Sequence, residues 1–132
     1  FCRHTIQHSL DVARIGLIIN LEEGLSISKE WIYAVALLHD IGRALQYQEG
    51  VDHEQAGVIV AKPILIDCGF AEEEIKVILS AMEHHGSREV APEKNLNGIL
   101  YRADKASRLC FWCEAREECN WPLEQKNMGI YI

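Results

Sequence analysis

Apolar residues recur along this chain at the three- and four-residue spacings of amphipathic helices, between glycine, proline and polar stretches. No two segments show a credible strand pairing. The second segment is apolar nearly all round, which is typical of a helix buried at the centre of a bundle. The pattern predicts an all-α, single-domain bundle of about five main helices over residues 1–132, with a short tail from residue 109. The predicted helices cover residues 5–20, 29–39, 53–66, 71–85 and 96–111.

Residues at the ends of these segments support the predicted helix boundaries. Ser28 and Asp52 precede the second and third helices, where an N-cap side chain accepts hydrogen bonds from the first turn. Gly24 and Gly86 follow the first and fourth helices, where glycine commonly closes a helix. Pro63 lies inside the third pattern and is expected to kink that helix, because proline lacks a backbone N–H.

The composition is that of an acidic globular protein. Of the 132 residues 48% are apolar, and the net charge is −7. No stretch concentrates lysine and arginine, so nucleic acid is not an expected partner. No apolar run is long enough to span a membrane, so no membrane association is expected. Five cysteines, an odd number, fit a reducing compartment better than a disulfide framework, which predicts a cytoplasmic protein.

Histidine and aspartate residues lie where one metal site could collect them. His39 and Asp40 end the most apolar segment, and burying an imidazole beside a carboxylate is costly unless something compensates them. A divalent cation is the usual compensation, because it binds neutral imidazoles and carboxylates together. A single inward histidine is more often a hydrogen-bonded core residue, but six histidines with two acids need a shared reason. The candidates are His4, His8, His39, Asp40, His53, His84, His85 and Asp104.

Three of these motifs, in their order along the chain, resemble the HD-domain phosphohydrolase superfamily. They are His8 followed by Ser-Leu-Asp-Val-Ala, the pair His39-Asp40 followed by isoleucine and glycine, and Asp104 between alanine and lysine. The resemblance covers about residues 4–108. It implies a helical bundle in which one divalent metal is bound by His8, His39, Asp40 and Asp104.

The remaining histidines match extended sets in branches of this superfamily that use two or more metals. His53 and the pair His84-His85 resemble the pattern of HD-GYP cyclic-dinucleotide phosphodiesterases and of HD proteins that hydrolyse diadenosine tetraphosphate. His85 shares a helix face with Met82 and is favoured over His84. No Gly-Tyr-Pro motif follows His85, which counts against cyclic di-GMP as the substrate. The implied cofactor is one or two divalent ions, with iron or manganese favoured and zinc, nickel or magnesium compatible.

The resemblance also implies roles in a reaction. Two metals about 3.5–4 Å apart can clamp a phosphoryl group and turn a bridging water into hydroxide. Asp40 is expected to bridge them, because a carboxylate offers one oxygen to each ion. His4 lies one turn before His8, where it resembles the leaving-group acid of cyclic-nucleotide phosphodiesterases. In the trinuclear HD-GYP variant a metal-binding glutamate takes this position; a surface histidine near a frayed terminus is the alternative.

Basic residues near the predicted ligands are candidates for binding a substrate phosphate. Arg43 follows the His-Asp segment where relatives carry a lysine, and its guanidinium could hold a phosphate oxygen. Lys105 and Arg108 flank Asp104, and Arg88 follows the double histidine. Each could equally be solvated surface charge. Arg43 is favoured because of its position beside the predicted metal ligands.

The tail carries a weaker signal for a second metal site. Cys110, Cys113 and Cys119 have a spacing compatible with zinc or an iron–sulfur cluster, and Cys2 could complete the set. In the favoured alternative, the fifth helix continues through Cys110 and Cys113, which pack as small apolar residues. Cys68 is expected to be structural.

These features favour an enzyme. The leading hypothesis is a metal-dependent phosphohydrolase or phosphodiesterase whose partner is a small phosphorylated substrate, in the first place a nucleotide. One alternative is a non-catalytic HD module that binds a metal or nucleotide as a sensor. Another is a di-iron oxygenase, because a mixed-valent di-iron HD site can activate oxygen. None of the expected ligands is missing from the sequence, which favours catalysis, and Arg43 favours hydrolysis.

Overall fold

Five α-helices form the bundle in a computed structural model that describes residues 5–43, 50, 53–130 and 132, with the backbone alone at position 53. They are α1 Ile6–Glu23, α2 Lys29–Leu38, α3 His53–Asp67, α4 Glu72–His84 and α5 Leu96–Ala106. Short 3₁₀ turns lie between α4 and α5 at Arg88–Val90 and after α5 at Cys110–Trp112 and Leu123–Gln125. These ranges contain no strand, and the all-α prediction is confirmed. Some predictions concern residues that the structure does not describe. They are those for Cys2, His4, Asp52 and the side chain of His53.

Thr5 and Gly24 set the two ends of α1. The Thr5 hydroxyl oxygen accepts a hydrogen bond from the His8 backbone N–H at 3.2 Å. Gly24 has a φ of 64° and donates its N–H back to the Asn20 carbonyl. This left-handed conformation suits glycine and stops the helix. α1 therefore ends at Glu23, beyond the predicted residue 20 but before the predicted glycine.

The buried side chain of Asn20 fixes the connection from α1 to α2. Its amide nitrogen donates to the Ile27 carbonyl at 2.9 Å, and its amide oxygen accepts from the Ile27 N–H at 3.0 Å. A buried amide that makes both bonds to one residue holds the connection in a single conformation. α1 packs along α2 and also against α5.

Glu74 links α4 to α2. Its Oε1 accepts from the Ala71 N–H at 2.9 Å, and its Oε2 accepts from the Trp31 indole N–H at 2.7 Å. Ser28 stands at the N-cap of α2, but its hydroxyl donates to the Glu30 carboxylate at 2.8 Å and makes no capping bond. The predicted N-cap position of Ser28 is therefore confirmed, but its hydroxyl bonds the nearby carboxylate instead of a backbone N–H.

The ends of α3 and α4 differ slightly from the predictions. Pro63 lies inside α3 without ending it. The C-cap of α4 is His85, so the prediction of Gly86 as the cap is wrong by one residue. A Cβ at Gly86 would lie 2.6 Å from Oε1 of Glu54, so any other residue there would require this flexible side chain to move.

α5 ends at Ala106 and not at residue 111. Ser107 occupies the C-cap, and its hydroxyl donates to the Asp104 carbonyl at 2.7 Å. An orphan carbonyl at the helix end is thereby satisfied, and the chain turns away. Cys110 then lies in a 3₁₀ turn and Cys113 is extended. The prediction that these cysteines continue the fifth helix is wrong.

α2 lies at the centre of the bundle and contacts α1, α4 and α5. Its Ile32, Val35 and Ala36 are each 1% exposed, whereas Leu37 is 42% exposed. The prediction of a helix buried nearly all round is therefore wrong for one face. Side chains from the other helices complete the core, among them Val12, Leu65, Ile78, Met82, Ile99 and Leu100. In the described part of the chain, no helix combines the length and apolar content that a membrane crossing requires.

Gly98→Ala is expected to destabilise the protein by about 1–3 kcal/mol, the usual cost of overpacking. A Cβ at Gly98 would overlap the backbone carbonyl of Glu93, which cannot shift as a flexible side chain can. Gly57→Ala is the matched control, because its Cβ would meet only the terminal methyl of Met82 closely, at 3.3 Å. Urea unfolding followed by circular dichroism measures both variants. Equal free energies of unfolding would contradict this account.

Candidate metal centre

Five polar side chains from four parts of the bundle converge at one buried position. His8 lies on α1 and Asp104 on α5, while His39 and Asp40 follow α2 and His85 follows α4. The exposed fraction is 9% for His8, 1% for His39, 3% for His85 and 4% for Asp104. Polar groups this deeply buried must compensate one another or bind something that does.

His39 and His85 are oriented by the same local device. Each is the first residue after a helix, and each Nδ1 lies 2.6 Å from the carbonyl oxygen three residues earlier, that of Ala36 or Met82. A carbonyl only accepts hydrogen bonds, so Nδ1 carries the proton in both rings. Nε2 is then the nitrogen that each ring presents to the cluster. Ordering of this kind is typical of metal-binding histidines.

The imidazoles and carboxylates face a common centre. Nε2 of His8 lies 3.1 Å from Oδ1 of Asp104 and 3.8 Å from Oδ2 of Asp40. Nε2 of His39 lies 3.1 Å from the same Asp40 oxygen and 3.6 Å from the same Asp104 oxygen. Ligand atoms of His8, His39 and Asp40 all lie within 4.8 Å of one another.

The environment of His39 requires positive charge. Nε2 of His39 is buried and has no hydrogen-bond partner among the residues that the structure describes. Burial lowers the pKa of His39, but the carboxylates of Asp104 and Asp40 outweigh burial and raise the pKa to about 10. In the metal-free protein a proton on Nε2 therefore supplies the charge that the two carboxylates need.

A divalent cation fits the same position. Burial acts to raise the pKa of Asp104, but contacts with His39 and His8 hold this pKa well below its usual value, so the carboxylate is ionised at neutral pH. Imidazole nitrogens and ionised carboxylates are the donors that zinc, iron and manganese accept. The residues that would hold the cation are His8, His39, Asp40 and Asp104.

The two oxygens of Asp40 face different groups. Oδ2 faces His8 and His39, whereas Oδ1 lies 3.9 Å from Nε2 of His85 and 3.5 Å from Nε of Arg43. Burial lowers the pKa of His85, which keeps this imidazole neutral and able to bind a metal. A carboxylate placed between two histidine groups can offer one oxygen to each of two cations.

All three basic residues that the sequence placed nearest the ligands reach the cluster. Beyond the contact of Arg43 with Asp40, Nη2 of Arg108 lies 3.3 Å from Oδ1 of Asp104 and 3.4 Å from Nε2 of His8. Nζ of Lys105 lies 3.5 Å from Oδ2 of Asp104. The site thus combines anionic metal donors with a cationic rim.

Ser107 is a site residue that the sequence did not reveal. Because its hydroxyl proton goes to the Asp104 carbonyl, its oxygen can accept from Nδ1 of His8 at 3.3 Å. Ser107 therefore directs Nε2 of His8 toward the carboxylates. The predicted fifth helix ran past this position, so no signal pointed to Ser107.

Other predicted site residues are placed elsewhere. His84 is exposed, with Nδ1 bonded to the Ser80 carbonyl at 2.7 Å, and Arg88 pairs with Glu124 at 2.6 Å. Within the described ranges the grouping of His8, His39 and Asp40 is the one set of three or more potential ligands. The structure therefore does not bring Cys110, Cys113 and Cys119 together as a metal site. Cys68, expected to be structural, is exposed.

The HD domain family model matches residues 5–109 of the chain. The chain therefore belongs to the HD domain family. HD domains bind divalent metals and are commonly metal-dependent hydrolases, in agreement with the donor set. No solved structure matches the chain.

Relatives of the chain include one long match and several short ones. An uncharacterized protein of Clostridium beijerinckii is 47% identical over 131 residues, which are 99% of this chain and 82% of that protein. Ribonuclease Y of Mesoplasma florum is 34% identical over 105 residues, 80% of this chain and 19% of that protein. Ribonuclease Y of Helicobacter pylori is 34% identical over 90 residues, 68% of this chain and 15% of that protein. The chain thus spans less than a fifth of these ribonucleases.

His85→Ala is expected to lower the metal content of protein reconstituted with Mn²⁺, whereas His84→Ala leaves it unchanged. The reason is that Nε2 of His85 faces Asp40 while His84 is exposed on the surface. Plasma mass spectrometry on both variants measures the metal per chain. His39→Ala serves as the reference for loss of the central ligand. Equal metal content in the His84 and His85 variants would remove His85 from the ligand set.

Mn²⁺ binding is expected to release about one proton near neutral pH, because the cation must displace the proton on His39. The raised pKa of His39 stabilises the metal-free protein at neutral pH, and this contribution is lost as the pH rises through about 10. Metal affinity should therefore increase up to that pH, by about tenfold per unit. Calorimetry in buffers of different ionisation enthalpy counts the protons. The His39→Gln variant should release fewer protons when Mn²⁺ binds. A wild-type affinity for Mn²⁺ that does not change with pH would contradict a proton on His39 in the metal-free protein.

Proposed function

We propose that this HD domain protein is a divalent-metal-dependent phosphohydrolase or phosphodiesterase acting on a nucleotide or another small phosphoester. The observation that carries the proposal is the combination of a buried carboxylate and imidazole centre with a cationic rim. Asp40 and Asp104 supply the anionic donors, and Arg43, Lys105 and Arg108 lie within 3.5 Å of their oxygens. A metal centre alone does not need this rim, but a phosphate substrate does.

Each part of the site has a role in this reaction. A bound divalent cation lowers the pKa of a water molecule and polarises a phosphoryl oxygen. His8, His39 and Asp104 fix the position of such a cation, and Asp40 can share its second oxygen with another. Arg43 would hold a phosphate oxygen, since its Nε–H has no hydrogen-bond partner among the described residues.

Two further roles belong to the proposal. His4, one turn before His8 in the sequence, is the candidate acid that protonates the leaving oxygen. His53 is a candidate ligand of a second cation. Iron or manganese is the favoured metal, because the mixed nitrogen and oxygen donor set suits both.

A small substrate is favoured over a polymer. The name of the ribonuclease Y relatives indicates action on RNA, but this chain covers less than a fifth of them. Its net charge of −7 opposes contact with a long phosphate backbone, whereas a single phosphate needs only the local cations. A cytoplasmic protein with nucleotide substrates is the accompanying expectation.

Metal-loaded protein is expected to release phosphate or a nucleotide from at least one member of a panel of mononucleotides, cyclic nucleotides and dinucleoside polyphosphates. Chelation should abolish the activity, and added Mn²⁺ should restore it. Asp40→Asn should lower kcat by about a hundredfold or more, because one oxygen of the central carboxylate becomes an amide nitrogen. Chromatography of the products measures each rate.

His84→Ala is the matched control and should keep the wild-type rate, since this histidine is exposed beside the buried His85. Binding of a nucleotide without turnover of any panel member would contradict the proposal and favour the sensor module. Oxygen consumption by the iron-loaded protein, without hydrolysis, would favour the oxygenase.

A further inference from the structure

The segment after α5 returns to the side of α5 that carries Asp104. The ring of Trp121 lies 4.7 Å from Nζ of Lys105 and 5.6 Å from Cζ of Arg108. Nζ of Lys105 and Nη2 of Arg108 lie 3.5 Å and 3.3 Å from the Asp104 carboxylate. One aromatic ring thus contacts both basic residues that pair with the Asp104 carboxylate.

Two contacts of residues that follow Trp121 hold the segment in place. Glu124 pairs with Arg88 at 2.6 Å, which joins the segment to the turn after α4. The side-chain amide of Asn127 donates to the Ala106 carbonyl at 3.1 Å, at the end of α5. Trp121 itself is half-buried and contacts Lys105 and Arg108 at the end of α5.

The Nε–H of Arg108 is available to an acceptor that the described residues do not supply. Its side chain is 8% exposed, and its Nε–H has no hydrogen-bond partner within the described part of the chain. A buried N–H without a partner is costly, and an anion oxygen entering the site would satisfy it. The guanidinium is therefore a candidate donor to a phosphate group, beside the metal ligands.

Aromatic contacts can hold a cation without neutralising it. Lys105 lies 5.0 Å from the Tyr101 ring and 4.7 Å from the Trp121 ring, so two aromatic side chains restrict its ammonium. A second carboxylate in place of a ring would cancel the charge, whereas a ring attracts the cation through its quadrupole and leaves the net charge for a ligand.

We propose that Trp121 is a positioning residue, which holds Lys105 and Arg108 beside Asp104 so that both bind the phosphate group of the substrate. The nature of the anion rests on the function proposed above. The family match ends at residue 109, so the HD domain assignment does not account for this contribution from the following segment. The segment would thereby form one wall of the phosphate site.

The test compares Trp121→Ala and Trp121→Phe with Trp112→Ala in the full chain loaded with Mn²⁺. Trp112 lies in the same segment and is 79% exposed, which makes it the matched control. Calorimetry measures the affinity for inorganic phosphate, and plasma mass spectrometry measures the bound metal. Trp121→Ala should weaken phosphate binding roughly three- to tenfold with unchanged metal content. Trp121→Phe should retain most of the affinity, and Trp112→Ala should match the wild type.

An unchanged affinity in Trp121→Ala would overturn the proposal, as would an equal loss in Trp112→Ala or in Trp121→Phe. Loss of metal from Trp121→Ala would also overturn it, by assigning the ring to the stability of the metal centre. If Trp121→Ala does not fold, Glu124→Ala keeps the tryptophan and releases the segment from Arg88. This variant should weaken phosphate binding by a smaller factor, and no change would again overturn the proposal.

Hydrolysis is measured separately, so the two proposals can fail independently. Where the wild type turns over a phosphoester, Trp121→Ala should raise KM with little change in kcat, as expected for a residue that acts through the phosphate-binding cations. Wild-type protein that binds phosphate with these differences but hydrolyses nothing would contradict the proposed function and leave the role of Trp121 standing.

Discussion

The approach of two buried carboxylates to one imidazole nitrogen is the constraint on which the rest of the structure depends. Asp40 follows α2 and Asp104 lies on α5, yet oxygens of both are within 3.6 Å of Nε2 of His39. Two anions this close in a buried site repel strongly unless positive charge lies between them. A proton on His39 meets this need in the metal-free protein, and a divalent cation would meet it with more charge. The packing of the central helices therefore depends on positive charge in the site.

Helix ends provide the geometry of the centre. His39 and His85 each occupy the residue after a helix, where a backbone carbonyl of the last turn holds Nδ1 and leaves Nε2 directed inward. Ser107 does the same for His8 from the end of α5. Two backbone carbonyls and one serine hydroxyl at helix ends thus orient three imidazoles. These side chains therefore need little further ordering when a cation binds.

The distribution of charge connects the metal centre with the proposed substrate. The chain as a whole is acidic, yet three basic residues surround the two carboxylates of the centre. Such a site attracts a compact anion locally while the remaining surface repels extended ones. The segment after α5 contributes to this balance through Trp121, which contacts two of the three cations without neutralising them.

Local interactions explain what the sequence determined by itself. The apolar spacing predicted all five helices, because helix periodicity and end residues such as Gly24 act within a few residues of one another. The same spacing distinguished His85 from His84, since adjacent residues face different sides of a helix. His8, His39, Asp40 and Asp104 were also found in the sequence, through motifs whose order resembles the HD superfamily.

Tertiary structure decided the features that depend on distant contacts. The end of α5 is set where Ser107 turns the chain and Asn127 reaches the Ala106 carbonyl, and no periodicity within the helix reports a partner that far along the chain. The exposure of Leu37 depends on which helices surround α2. The contact of Trp121 with Lys105 and Arg108 exists only once the segment folds back onto α5. The attraction between a cation and an aromatic ring depends on their distance in space, so it produces no regular spacing in the sequence.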